Sequence, residues 1–178
     1  MGWPRPSPLP ILTGASSIWL PSVHAVRTGR GLVRVLFESD VVNAVCTELQ
    51  ARGYQIIQKL RTNEQGDDII AVKQAAPVRE LYVEAKGETS SRKGSRRYGK
   101  PFQGAQIRIH VGQAFYKAAA VLSTKGEGVE VRAGIALPNT KGHHSIVDKI
   151  APVLNQLGIA VFWVQEGGEV QTVSPWQL

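Results

Sequence analysis

Ile159-Ala160-Val161-Phe162-Trp163-Val164 is an uninterrupted run of six apolar residues, too short for a membrane span and typical of a strand buried on both faces. Such a strand needs covering layers, so the rest of the chain is read for the elements that supply them. From about Leu36 to Arg52, Val41, Val42, Val45 and Leu49 recur at helical spacing and Gly53 follows as a stop. Tyr54 to Arg61, Asp68 to Val72 and Arg79 to Lys86 read as three neighbouring strands separated by turns. A second helix is expected over Gly104 to Leu122, with Val111, Ala114, Phe115, Ala118 and Leu122 on one face. Val129 to Leu137 reads as a strand. His144 to Leu157 reads as one helix carrying Ile146, Ile150, Val153 and Leu157 on a common face, and a weak last strand covers Val170 to Val173. This order predicts an α/β protein in which a central mixed β-sheet is flanked by helices.

The chain has 178 residues, enough for one core and too few for two, so residues 31–178 are expected to form a single domain. Residues 1–30 contain an apolar run from Leu9 to Leu20. Pro4, Pro6, Pro8, Pro10 and Pro21 argue against a helical signal segment there, and an irregular proline-rich arm is expected. Cys46 is the one cysteine, which excludes an internal disulfide and a cysteine-based metal cluster and favours a reducing, cytoplasmic setting. No stretch of about 18 apolar residues is present, so no membrane partner is expected.

Charge is concentrated. Of the net +7, a local excess of +6 lies between Lys86 and Arg108, where Lys86, Arg92, Lys93, Arg96, Arg97, Lys100 and Arg108 face the single acid Glu88. A basic loop of this kind suits contacts to a phosphate backbone, which set register without reading sequence. Tyr98 and Phe102, in and beside that loop, are candidates to stack on bases.

The chemistry-bearing pattern precedes the loop. In Leu81-Tyr82-Val83-Glu84-Ala85-Lys86, strand alternation puts Glu84 and Lys86 on one face, about 6 to 7 Å apart. Asp68 heads an otherwise apolar strand, where an ionised carboxylate is costly unless a charged group lies beside it. Two carboxylates from adjacent strands form a hard oxygen donor set suited to Mg2+ or Mn2+, and a neighbouring lysine can stabilise phosphoryl charge.

Gly66-Asp67-Asp68-Ile69-Ile70, followed sixteen positions after Asp68 by Glu84-Ala85-Lys86-Gly87, resembles the signature of the PD-(D/E)xK nucleases of the restriction-endonuclease-like fold. The similarity runs from about Glu38 to Val164 in element order as well as motif. It implies a metal-dependent DNA endonuclease in which Asp68 and Glu84 bind the metal and Lys86 serves catalysis. It also implies supporting roles for Glu38 on the first helix and Gln113 on the helix after the core strand, and admits a homodimer. Asp67 stands where the family has proline, which leaves Asp67 and Asp68 both open as the ligand. Gln113 and Tyr116 are three apart where one subgroup has glutamine and tyrosine four apart. His143 and His144 lack a third ligand nearby in sequence. The alternative function is a nucleic-acid-binding domain that keeps this fold without turnover, and a third is a protein-interaction domain with no affinity for nucleic acid.

Overall fold

A computed structural model describes residues 25–28, 31–60, 64, 66–75, 77–124 and 129–178. The run from Leu9 to Leu20 lies outside the described residues. Two short strands, β1 (Ala25–Thr28) and β2 (Gly31–Arg34), pair antiparallel with Val26 opposite Val33. The expected irregular arm thus ends in an ordered strand before residue 30. At four residues each, these strands are too short for their alternation to stand out in the sequence.

Helix α1 (Glu38–Ala51) begins after Phe37, whose extended backbone N–H donates to the Asp40 carboxylate at 2.9 Å. That is the reciprocal half of a capping box, with the acid at the helix's third position. Gly53, at φ +83°, ends the helix, and the Tyr54 N–H returns to the Leu49 carbonyl at 3.0 Å.

The main sheet has six strands in the order β3 (Gln55–Lys59), β4 (Ile69–Lys73), β5 (Arg79–Ala85), β6 (Glu130–Pro138), β7 (Ile159–Val164) and β8 (Val170–Val173). The β3-β4-β5 pairs are antiparallel, β5-β6 and β6-β7 are parallel, and β7-β8 is antiparallel. Helix α2 (Gly104–Thr124) carries the chain from β5 to β6. Two shorter helices, α3 (Lys141–Val147) and α4 (Ala151–Leu157), carry it from β6 to β7. Both crossovers pack on one face of the sheet, and α1 covers the other.

The two faces form separate cores. On one, Val41, Val42, Val45 and Leu49 of α1 meet Ile69, Leu81, Val83, Ala85 and Phe162. On the other, Ile107, Val111, Ala114 and Ala118 of α2 meet Tyr82, Ile135, Leu137, Val161 and Trp163. Burying each large side chain contributes on the order of 1.5–3 kcal/mol. Gly134 makes room for one of them, since a Cβ there would lie 2.7 Å from the Phe162 ring.

The expected helix over His144 to Leu157 is two helices, separated at Asp148–Ile150. Pro152 falls in the first turn of α4, where its missing N–H costs nothing, and the restart changes the helical phase. Val153 and Leu157 are therefore 44% exposed, while His143, Val147 and Leu154 are the buried residues.

Candidate catalytic site

Strand β5 is central and buried from Leu81 to Ala85, so Glu84 is a carboxylate in the protein interior, 4% exposed. It shares the α2 face of the sheet with Tyr82. Asp68 immediately precedes β4. Continuing the β4-β5 register of Ile70 with Tyr82 and Ile69 with Val83 by one step sets Asp68 opposite Glu84. The Ala85 N–H donates to Asp68 Oδ2 at 2.8 Å and fixes the first acid to the strand that carries the second.

Past β5 the chain turns at Gly87 against the start of α1. A Cβ on residue 87 would meet the Glu38 nitrogen at 2.5 Å, the Phe37 carbonyl carbon at 2.9 Å and the Leu36 oxygen at 3.0 Å. Glycine alone permits this approach. It brings Lys86 Nζ to 4.0 Å from Glu38 Oε2 while the same ammonium donates to Glu84 Oε1. Glu38, Asp68, Glu84 and Lys86 are thus drawn together by two strand ends and one helix start.

A second ammonium completes the group. Lys117 Nζ, from α2, donates to Glu84 Oε2 at 2.8 Å and to the Gly66 carbonyl at 3.1 Å. Each Glu84 oxygen therefore has its own lysine. Burial works against the Lys117 charge, yet its bond to Glu84 and the charges of Glu84, Asp68 and Asp67 outweigh that and hold the amine above the usual lysine range. Burial, followed by the neighbouring Glu84 charge, pushes the Asp68 carboxyl up to about 7. His110, one and two turns before Ala114 and Lys117 on α2, is lowered by burial and by the Lys86 charge, and its ring packs edge-on against Phe102 at 4.5 Å.

The other sequence candidates divide. Asp67 is half-buried and its carbonyl accepts from Gln58 Nε2 at 2.7 Å, so of the two aspartates Asp68 is the one facing Glu84. Gln113 is exposed on α2 and its side chain makes no hydrogen bond to a described residue; Lys117, one turn later, is the α2 side chain that enters the site. No sequence motif singles out Lys117, although its spacing of seven from His110 puts both on one helix face.

Arg92, Lys93, Arg96, Arg97, Lys100 and Arg108 are all exposed. The loop bearing the first five is tied down at its neck. Thr89 Oγ1 donates to the Arg97 carbonyl at 2.8 Å, Ser90 pairs with Tyr98, and the Phe102 N–H donates to the Glu88 carbonyl at 2.7 Å. Tyr98 and Phe102 are both half-buried: Tyr98 packs on Phe37 with ring centroids 5.4 Å apart, and Phe102 packs on His110. Both rings anchor the loop. His143 is buried at the start of α3, where its N–H donates to the Thr140 hydroxyl, and His144 stacks on Trp163 at 3.8 Å, so neither histidine belongs to the site. A cavity of about 260 Å³ beneath α3 and α4, lined by His144, Leu154 and Trp163 among others, contains none of the site residues.

Among the described residues, no three His, Cys, Asp or Glu side chains converge as a metal-binding group. Asp68 and Glu84 supply two oxygen donors. Mg2+ commonly takes only one or two carboxylates and completes its shell with water and phosphate oxygens, so this donor set fits it. The ammonium on each Glu84 oxygen marks the same place as one that attracts positive charge. No family model matches this sequence, no curated protein matches it and no solved structure matches it, so the chemistry of the site rests on its own side chains.

Proposed function

We propose that the chain is a restriction-endonuclease-like nuclease that hydrolyses phosphodiester bonds of DNA with Mg2+ or Mn2+. The observation that carries this reading is the bond from the Ala85 N–H that fixes Asp68 to the strand bearing Glu84, with Lys86 donating to Glu84 and lying 4.0 Å from Glu38. Asp68 and Glu84 would hold the cation, which supplies Lewis acidity toward the phosphoryl group and makes a nearby water more acidic. Lys86 orients that water and neutralises charge that develops on the phosphate; Glu38 holds Lys86 from the other side. The exposed cations of the 92–100 loop bind the backbone on either side of the scissile bond. The lone cysteine, Cys46, is buried and its thiol is pushed up to about 11 by burial, so it is a poor nucleophile; a cytoplasmic setting is proposed because a single cysteine forms no internal disulfide. No described helix is long and apolar enough to cross a membrane.

The test is cleavage of supercoiled plasmid and of branched DNA in Mg2+. The wild type is expected to cut and to stop in EDTA, and Glu84→Ala to lose on the order of 10²–10³ in rate, as when a major electrostatic group is removed. Equal cutting by both proteins removes this chemistry.

A second reading, a nucleic-acid-binding domain without turnover, is favoured by one observation: Lys86 and Lys117 already neutralise both oxygens of Glu84. Salt-dependent DNA binding by a wild type that cuts nothing in Mg2+ or Mn2+ selects it.

A further inference from the structure

Lys86 lies between Glu84 and Glu38, Lys117 is bonded to Glu84, and Asp68 is fixed to the strand that carries Glu84. The two lysines are not equivalent. Lys86 is enclosed, 14% exposed at its side chain, with Glu84 on one side and Glu38 on the other. Lys117 is 45% exposed and reaches Glu84 Oε2 from the solvent side of α2. It also has a second acceptor, the Gly66 carbonyl at 3.1 Å, outside the carboxylate group. Its ammonium can therefore leave Glu84 and remain bonded at the rim, whereas the other partner of Lys86 is Glu38, itself a carboxylate of the site. A divalent ion and the Lys117 ammonium compete for one oxygen, because a carboxylate oxygen held by a cation at hydrogen-bond distance cannot also serve an ion approaching from the same side.

We propose that Lys117 is an internal counter-ion which occupies Glu84 in the cation-free protein and is displaced when a divalent ion enters, freeing an ammonium at the rim for a substrate phosphate. The inference rests on the metal-dependent reading above and deepens it. In the cation-free state the carboxylates are largely balanced by lysines, so the site is stable without metal. The entering ion adds two positive charges to the same residues, which makes the site more favourable to an anionic backbone. Cation and nucleic acid should then bind with positive coupling, each raising the affinity of the other.

The experiment is Mn2+ binding to the full chain without DNA, followed by the electron paramagnetic resonance signal of free Mn2+. Wild type, Lys117→Met, Lys117→Arg and Glu84→Gln are compared, with thermal melts to establish that each is folded. Because Lys117 is partly exposed, its ion pair is screened, and Lys117→Met is expected to tighten Mn2+ binding by about fivefold rather than by orders of magnitude. Lys117→Arg keeps the charge and should bind as wild type does, while Glu84→Gln should lose most of the affinity. Tighter Mn2+ binding with slower DNA cleavage in Lys117→Met separates this role from a merely structural one, since removing a supporting bond would not improve an ion site. Should Lys117→Gln serve in place of a poorly folded methionine variant, the same tightening is expected. Unchanged or weaker Mn2+ binding in the neutral variants, with wild-type binding still dependent on Glu84, overturns the counter-ion role and leaves the nuclease reading intact. Absence of Glu84-dependent Mn2+ binding in every variant overturns both.

Discussion

The Ala85 N–H donates to Asp68 Oδ2 at 2.8 Å, so the acid that precedes β4 is anchored by the backbone of the strand that presents Glu84. Asparagine at position 68 can accept the same bond through its amide oxygen but carries no charge. Alanine cannot accept it and leaves a buried N–H unpaired, at a cost of about 1–3 kcal/mol. Asp68→Asn is therefore expected to match or exceed wild-type stability at pH 8, where it removes the repulsion with Glu84, and Asp68→Ala to fall below it. Both should lose cleavage. Urea unfolding of the three proteins at pH 8 checks the order, and equal destabilisation by Asn and Ala would show that the bond to Ala85 is not what positions residue 68.

A second prediction concerns Gly87. The atoms that a Cβ would meet are backbone atoms of Leu36, Phe37 and Glu38, which cannot rotate away as a side-chain tip would. Gly87→Ala must push the start of α1 from the end of β5, at about 1–3 kcal/mol for overpacking. The same displacement carries Glu38 away from Lys86. Lower stability in urea together with a fall in cleavage larger than that of Glu38→Gln is the expected result.

These two positions also show where local pattern is informative and where it is not. Glu84 and Lys86 are legible because strand alternation alone puts them on one face, and Asp68 because a charged residue heading Ile69-Ile70-Ala71-Val72 stands out. The apolar run of β7 and the face of α2 are legible for the same reason: their burial follows from local spacing. Lys117 is not, because its bond to Glu84 depends on how α2 lies across β5, a tertiary relation that no periodicity encodes. The break between α3 and α4 is hidden by a periodicity that continues through it, and Pro152, the residue that marks it, is as compatible with a helix start as with a kink. Gly87 is visible in the sequence as part of a motif, but its role as a point of close approach depends on the position of α1.

A third prediction is a pH dependence of stability set by Glu88. Burial pushes this carboxyl up to about 7; the Leu36 backbone bond works against the shift and the Glu166 charge adds to it. Between the ordinary value of 4.5 and about 7 the folded protein holds a proton that the unfolded chain has released. The unfolded state binds fewer protons there, so this contribution is complete below pH 4.5, shrinks as pH rises and is gone above about 7. Glu88→Gln, neutral at every pH, should therefore gain stability relative to wild type at pH 8, by at most about 3 kcal/mol from the size of the shift, and lose that advantage by pH 5. His143, lowered to about 4 first by burial and then by His110 and His144, has the opposite sign. Below 6.5 the unfolded chain takes a proton that the folded protein refuses, so its effect weakens the fold between pH 6.5 and 4. Thermal melts of wild type, Glu88→Gln and His143→Gln across pH 5 to 8 separate the two, and a Glu88→Gln difference that does not change with pH would place the Glu88 shift elsewhere.

The basic loop gives the last prediction. Arg92, Lys93, Arg96, Arg97 and Lys100 are exposed, and the contacts that hold the loop use the Thr89 hydroxyl, the Arg97 carbonyl, the Glu88 carbonyl and the Tyr98 and Phe102 rings, none of which is a cationic side chain. Replacing the five cations by serine or glutamine should therefore leave the fold nearly untouched, within about 0.5 kcal/mol per substitution. What changes is the electrostatic part of binding. Removing a cation that touches a phosphate lowers the slope of log K against log salt by about 0.9 on duplex DNA. If three or more of the five cations touch phosphate together, the slope falls by several units and binding weakens alike on every sequence, because these cations carry no base information. Binding is measured in EDTA, so that it is independent of cleavage, with Lys117→Met beside the loop variant as a protein altered at the site but not in the loop. A loop variant whose slope equals that of wild type would put the phosphate-binding cations on another surface, and a slope that falls equally in Lys117→Met would put them at the carboxylate site itself.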